Sequence, residues 1–181
     1  MNPPWKPTPE QIARAHNRTI PDIVAPGLRV LFCGINPSLY SGAVGHHFAR
    51  PGNRFWPTLH AAGLTPRRFD PFEDRELLAL GFGITNLVAR STGAADELTP
   101  AELVLGGEEL GRLVALHRPK WVAFVGITAY RTAFRRPRAR FGPQEESIGP
   151  SRLWVLPNPS GRNQSFSIGP FRDLARFLAE K

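Results

Sequence analysis

Two short stretches hold residues well suited to a charged or planar ligand: GINPSL at 34–39 and PNPSGRN at 157–163. Both are dense in glycine, proline, serine and asparagine, which fix backbone amides in turns. A serine–glycine turn beside Arg162 suits a phosphate oxygen or an intruding step between stacked bases. Either stretch taken singly also reads as an ordinary turn. A third, GHHFARPGNRFW at 45–56, sets Phe48 on a loop among His46, His47 and Arg50. Further on, Arg131, Arg135, Arg136, Arg138 and Arg140 are interleaved with Phe134 and Phe141, a pattern that either tracks a phosphate backbone or solvates a surface. Metal chemistry has little to work with: His46 and His47 are adjacent rather than convergent, and the other three histidines are scattered. Cys33 is the single cysteine, so neither an internal disulfide nor a four-thiolate cluster can form. Within its apolar run it reads as a small core residue.

The elements that must carry these loops follow from hydrophobic patterning. Apolar, β-branched runs at 28–35, 82–88, 121–125 and 153–156 predict four buried strands, and each stops near glycine, proline or a polar residue. Helical spacing fills the gaps over 54–62, 73–80, 101–117 and 170–180. Two capping boxes, Thr8-Pro9-Glu10-Gln11 and Thr99-Pro100-Ala101-Glu102, mark helix starts, the first opening a short helix through about His16. Strands alternating with helices imply an α/β fold, a three-layer α/β/α sandwich around a mainly parallel sheet of about four strands. Ligands then belong at the carboxyl ends of those strands, where the loops at 34–39 and 157–163 leave the sheet.

The chain has 181 residues, enough for one domain with a sizeable core; 28–181 reads as that domain and 1–27 as an extension with a short helix. Its formal net charge of +8 points to a polyanionic partner. No apolar run reaches membrane-spanning length, and Met-Asn-Pro-Pro-Trp-Lys at the N-terminus lacks the apolar core of a secretion signal, so a cytoplasmic protein with no membrane partner is expected.

Taken together, GINPSL at 34–39, GHHFARPGNRFW at 45–56, GITNLVARST at 83–92 and PNPSG at 157–161 resemble the mismatch-specific uracil/thymine DNA glycosylases. The resemblance runs from about Leu28 to the C-terminus. It implies a DNA repair enzyme, acting on double-stranded DNA as a monomer without metal or cofactor, that flips a uracil or mismatched pyrimidine out of the helix and hydrolyses its bond to the sugar. Asn36 matches the asparagine that positions the hydrolytic water. An amide orients water but takes no proton from it, which favours good leaving groups such as uracil. Phe48 corresponds to the aromatic residue that stacks on the flipped base. Ile35, through its backbone amide, with His47 and Asn86 are further candidates for the base pocket.

Asn158, Ser160, Gly161 and Arg162 match the segment that enters the duplex. Arg162 occupies the intruding position, where uracil-restricted relatives carry an apolar side chain and the thymine branch carries arginine. Some glycosylases of the wider superfamily activate water with an aspartate. The first loop has none, and Asp96 is the nearest candidate for a second catalytic residue. No lysine accompanies the motifs as a Schiff-base nucleophile, so the product should be an abasic site without strand cleavage. Two rival expectations remain: release of thymine or modified pyrimidines from guanine–thymine mispairs, and a non-catalytic module that binds distorted DNA.

Overall fold

Along strand β1 (Val30–Gly34) side chains alternate between two apolar layers, as the two-residue period of a strand requires. Val30 and Phe32 face one core with Phe55, Trp56, Leu59, Leu77, Phe171 and Leu174. Leu31 and Cys33 face the other with Leu110, Val114, Tyr130 and Ala133. The sheet is therefore covered on both sides, and every residue of β1 and β3 (Trp121–Val125) is buried. The computed structural model describes residues 5–180. Met1–Pro4, part of the stretch weighed as a secretion signal, lie outside the described residues, and among those described no helix is long and apolar enough to cross a membrane.

Strands β2 (Phe82–Asn86), β4 (Gly142–Ile148) and β5 (Ser151–Leu156) complete a sheet of order β2-β1-β3-β5-β4. The first four are parallel and β4 is antiparallel to β5. The sequence predicts about four strands; the fifth is β4, whose polar composition hid it. Its side chains alternate between half-buried and exposed, the mark of an edge strand with one wet face. The helices are α1 (Pro9–Ala13), α2 (Leu39–Val44), α3 (Phe55–Ala61), α4 (Pro100–His117), α5 (Ile127–Ala133) and α6 (Gly169–Ala179). The stretch predicted as a helix over 73–80 is a 3₁₀ segment, Pro71–Leu80, opened by Asp70 and closed by Gly81 at φ 76°.

Both capping boxes form, Thr8 with Gln11 and Thr99 with Glu102. Helix α1 nevertheless stops at Ala13, and the chain turns through Asn17 at φ 63°. Residues before β1 also enter the core: Ile20 and Ile23 are buried, and Ile23 exchanges two backbone hydrogen bonds of 2.9 Å with Ile84. Phe55, fully buried against Phe32 and Phe48, anchors the first core. Truncating it to alanine costs about 3–5 kcal/mol.

This strand order fixes where a ligand can enter. β1 sends its crossover toward β2, whereas β3 sends its toward β5. The loops leaving β1 and β3 therefore diverge, and such a switch point leaves a crevice at the carboxyl edge of the sheet.

Candidate active site

A cavity of about 400 Å³ opens at that crevice. Ile35, Asn36, His47, Phe48, Asn86, Asp96, Asn158, Ser160 and Arg162 all line it. Of the site residues that the resemblance implies, only Gly161 is not part of the lining; it is exposed, and a Cβ on it would come to 2.8 Å from the Gly52 carbonyl oxygen. Its lack of a side chain lets the 157–163 loop close on the Arg50–Asn53 turn.

Asn36 stands just beyond β1 with its amide group fixed. Nδ2 donates to the Arg90 carbonyl at 3.0 Å and to Thr92 Oγ1 at 2.8 Å. The carbonyl can only accept, which settles which end of the amide is nitrogen. Thr92 Oγ1 in turn donates to the Ala94 carbonyl at 2.7 Å. Both Nδ2 hydrogens are thus spent, and Oδ1 is the polar atom left for a molecule in the cavity.

Another part of the lining is built for a flat ring. Phe48 sits at φ 53°, a backbone conformation unusual for a bulky residue and sustained only where surroundings enforce it. One ring face stacks on Phe55 with centroids 4.0 Å apart; the ring also lines the cavity. The loop is pinned on either side: Trp56 Nε1 donates to the His47 carbonyl at 3.1 Å, and His46 Nδ1 lies 3.0 Å from buried Asp74. Beneath the ring, Gly34 carries no side chain, and a Cβ there would collide with Asn86 Oδ1 and stand 3.1 Å from Phe48 Cζ.

His47 is buried, 2% exposed. Its Nε2 lies 3.0 Å from the Pro21 carbonyl, an obligate acceptor, so Nε2 carries the hydrogen. Burial holds its pKa below the ordinary histidine value and the ring neutral. Nδ1 is then an acceptor and receives Asn86 Nδ2 at 3.3 Å. Asn86 is oriented by this bond, with Oδ1 and its second Nδ2 hydrogen left to a ligand.

The wedge loop is fixed in its backbone and open in its side chain. Asn158 Oδ1 accepts from Ser160 N at 2.9 Å, its carbonyl accepts from Asn163 Nδ2 at 2.8 Å, and Ser160 Oγ accepts from Arg162 N at 3.3 Å. Arg54 clamps the loop from α3's side, donating from Nη2 to the Ser160 and Asn163 carbonyls at 2.6 Å each while its guanidinium covers Phe166 at 4.3 Å. Arg162 is exposed, and no ion pair holds it among the described residues. Asp96 is likewise exposed, on a 3₁₀ turn, Ala95–Glu97, at the cavity mouth.

Sequence reasoning missed Arg54, Arg90 and Thr92. All three lie inside motifs quoted above, but they act on backbone carbonyls or on another side chain's amide, and no spacing rule reports that. The basic segment divides. Arg131 donates to the Ala139 carbonyl, Arg136 pairs with Glu146 at 3.2 Å, and Phe134 packs on Phe124 and Tyr130. Arg135, Arg138, Arg140 and Phe141 remain exposed. Gly142 pairs with Val155, so this loop reaches the same carboxyl edge as the wedge.

A solved structure shares this fold. It is the solution NMR structure of a Methanosarcina acetivorans protein provisionally described as a uracil DNA glycosylase. The match covers 90% of this chain and 98% of that one, with a TM-score of 0.63 at 19% identity. Residues 21–180 match the family model of the uracil DNA glycosylase superfamily, which spans the cavity, both of its loops and all five strands. With most of its length inside that match, the chain belongs to the uracil DNA glycosylase superfamily and is by family a DNA glycosylase, a hydrolase of N-glycosyl bonds.

Proposed function

We propose that this glycosylase is of the mismatch-specific type: it removes uracil from guanine–uracil mispairs in double-stranded DNA, working as a cytoplasmic monomer without a cofactor. The observation that carries this reading is the tethered Asn36 amide in the lining of the same cavity as a stacked phenylalanine. Asn36 Oδ1 accepts one hydrogen of a water, which turns an oxygen lone pair toward the sugar C1′. That oxygen bonds to C1′ as the bond from C1′ to uracil N1 breaks. N1 keeps the electron pair, and the water's proton passes to solvent. Free uracil and an abasic site result, with the strand uncut.

Phe48 offers a π-face to the extruded base, replacing its lost stacking partners. Asn86 and the Ile35 amide hydrogen-bond the base edge, and donors aimed at its oxygens stabilise the departing anion. His47 bears on that edge by holding Asn86. The Asp96 carboxylate at the mouth opposes the positive charge that develops on the sugar. Arg162 fills the gap in the stack, while Asn158, Ser160 and Gly161 bring the backbone against the strand. A second reading, thymine release from guanine–thymine mispairs, is favoured by the arginine at the wedge position.

The deciding experiment is single-turnover release from a labelled duplex carrying a guanine–uracil pair, beside guanine–thymine, for the parent and Asn36→Ala. Uracil release lost in Asn36→Ala with DNA binding kept is the expected result, and the thymine lane separates the two readings. A parent inert on both substrates sinks the proposal.

A further inference from the structure

Residues 8–20 lie outside the span that matches the superfamily, yet they are bonded to the loop on which Asn36 rests. We propose that this N-terminal segment is a positioning strap for Asn36, holding the 90–92 loop so that its amide is aimed before DNA arrives. The inference rests on the water-positioning role proposed for Asn36.

Asn36 spends both donors on residues 90–92, so its aim is only as good as that loop's placement. One side of the loop is held by its neighbour after β1: Thr92 N donates to the Pro37 carbonyl and Leu39 N to the Thr92 carbonyl, each at 3.1 Å. The other side is held by the N-terminal segment. Asn17 N donates to the Ser91 carbonyl at 2.9 Å and Ser91 N to the Arg18 carbonyl at 2.8 Å. Ser91 Oγ donates to the Ala15 carbonyl, and Arg90 Nη1 to Asn17 Oδ1 at 3.2 Å. His16 Nε2 lies 3.0 Å from Glu97 Oε2, on the turn that carries Asp96.

Residues 90–92 are thereby the middle strand of a small sheet-like arrangement. Take away the outer strand, and the Ser91 peptide would lose both partners while an edge of backbone opened to water. The fit is close. Ala15 and Ser91 are fully buried, and a Cβ on Gly42 of α2 would collide with Ser91 Oγ and stand 3.3 Å from the Ala15 carbonyl oxygen. Asn17 makes its turn at φ 63°, a conformation asparagine tolerates.

The test uses the full chain with Ala15→Glu, which forces a charge into the strap's buried contact, and Ala15→Ser as its conservative partner. Asn17→Gly keeps the left-handed turn and removes only the side chain that holds Arg90. Uracil release is read in single turnover. Affinity is read on the same duplex carrying 2′-fluoro-deoxyuridine, whose fluorine resists glycosidic cleavage, and loosening is read as hydrogen exchange at Ser91. Since small misplacements of a reacting group cost up to about 10²-fold, Ala15→Glu should slow release by about tenfold to a hundredfold, with affinity within about twofold of the parent. Ala15→Ser should match the parent, and Asn17→Gly should fall between.

Raised exchange at Ser91 with parental release overturns the strap, as does a loss of affinity equal to the loss of rate. Should Ala15→Glu fail to fold, Asn17→Gly decides in the same way. An active parent with unaffected variants removes the strap alone, whereas an inert parent removes the reading of Asn36 and the strap with it.

Discussion

Two loops leave the same edge of the sheet and face each other across one cavity, yet they are finished differently. In the loop after β1 the chemical side chain itself is bound, with both Asn36 donors engaged. In the loop after β5 the backbone is bound, by Arg54, Asn158 and Asn163, while the Arg162 guanidinium is exposed. The difference is one of task. A group that must aim a water gains from being fixed before the substrate arrives, because reorganisation at the moment of reaction adds to the barrier. A side chain that must thread into a stack of bases gains from a firm anchor and a free end.

Separating the two walls by mutation should therefore separate rate from engagement. Asn36→Ala removes the water's acceptor and should lower single-turnover uracil release by about 10²-fold or more, leaving duplex affinity near the parent's. Equal losses of rate and affinity would erase the distinction. Arg162→Ala should act mainly on duplex substrate, since filling the vacated stack matters only where a stack exists. Release from a guanine–uracil duplex should fall by about tenfold, against little change for uracil in a single strand, a contrast that approximates one lost wedge contact. Arg54→Met should mimic Arg162→Ala in that comparison. It should also lower stability to denaturant by about 1–3 kcal/mol, because two partly buried carbonyls lose a charged donor.

Much of this was legible in sequence for a physical reason. Strands β1, β2, β3 and β5 are apolar runs closed by turn formers, and the site loops lie where those runs end. What stayed hidden was mostly structure whose signal is not local. Strand β4 reads as polar because one of its faces is wet, while α2 and α5, 6 and 7 residues long, directly follow strand-end turns and offer at most two helical turns to read. His47 reads in the sequence as a pocket candidate, with nothing local to mark it as buried. Its burial depends on the Pro21 carbonyl, 26 residues away in sequence. Arg54 and Arg90 look like any surface cation until the carbonyls and amides they hold are seen.

His47 offers a milder test of how fixed the base-facing wall is. Its pKa is lowered by burial, so the unfolded chain takes up a proton at higher pH than the folded one. The stability it contributes is fully present above the ordinary value of 6.5 and is lost as pH falls through the lowered one. Thermal melting from pH 7.5 down to pH 5, a range of about one to two units either side of an unperturbed histidine, should show the parent losing Tm more steeply than His47→Gln. Parallel curves would mean that the ring accepts a proton in place, and that the Asn86 orientation is less firm than its hydrogen bonds suggest.

The exposed arginines after α5 extend the unfixed side of the comparison, and their effect should be the smallest. Arg138 and Arg140 form no ion pair among the described residues and stand on the loop that enters β4 at the carboxyl edge. If that loop follows the phosphate backbone, each contact releases counterions, and the slope of log affinity against log salt changes by about 0.9 per contact on duplex DNA. Replacing both with glutamine should flatten the slope by up to about 2 while leaving single-turnover release at saturating enzyme unchanged. An unaltered slope would restrict DNA engagement to the wedge and cavity. A reduced rate at saturation would be more informative, because it would tie the basic loop to the placement of the flipped base and blur the division between the fixed wall and the free one.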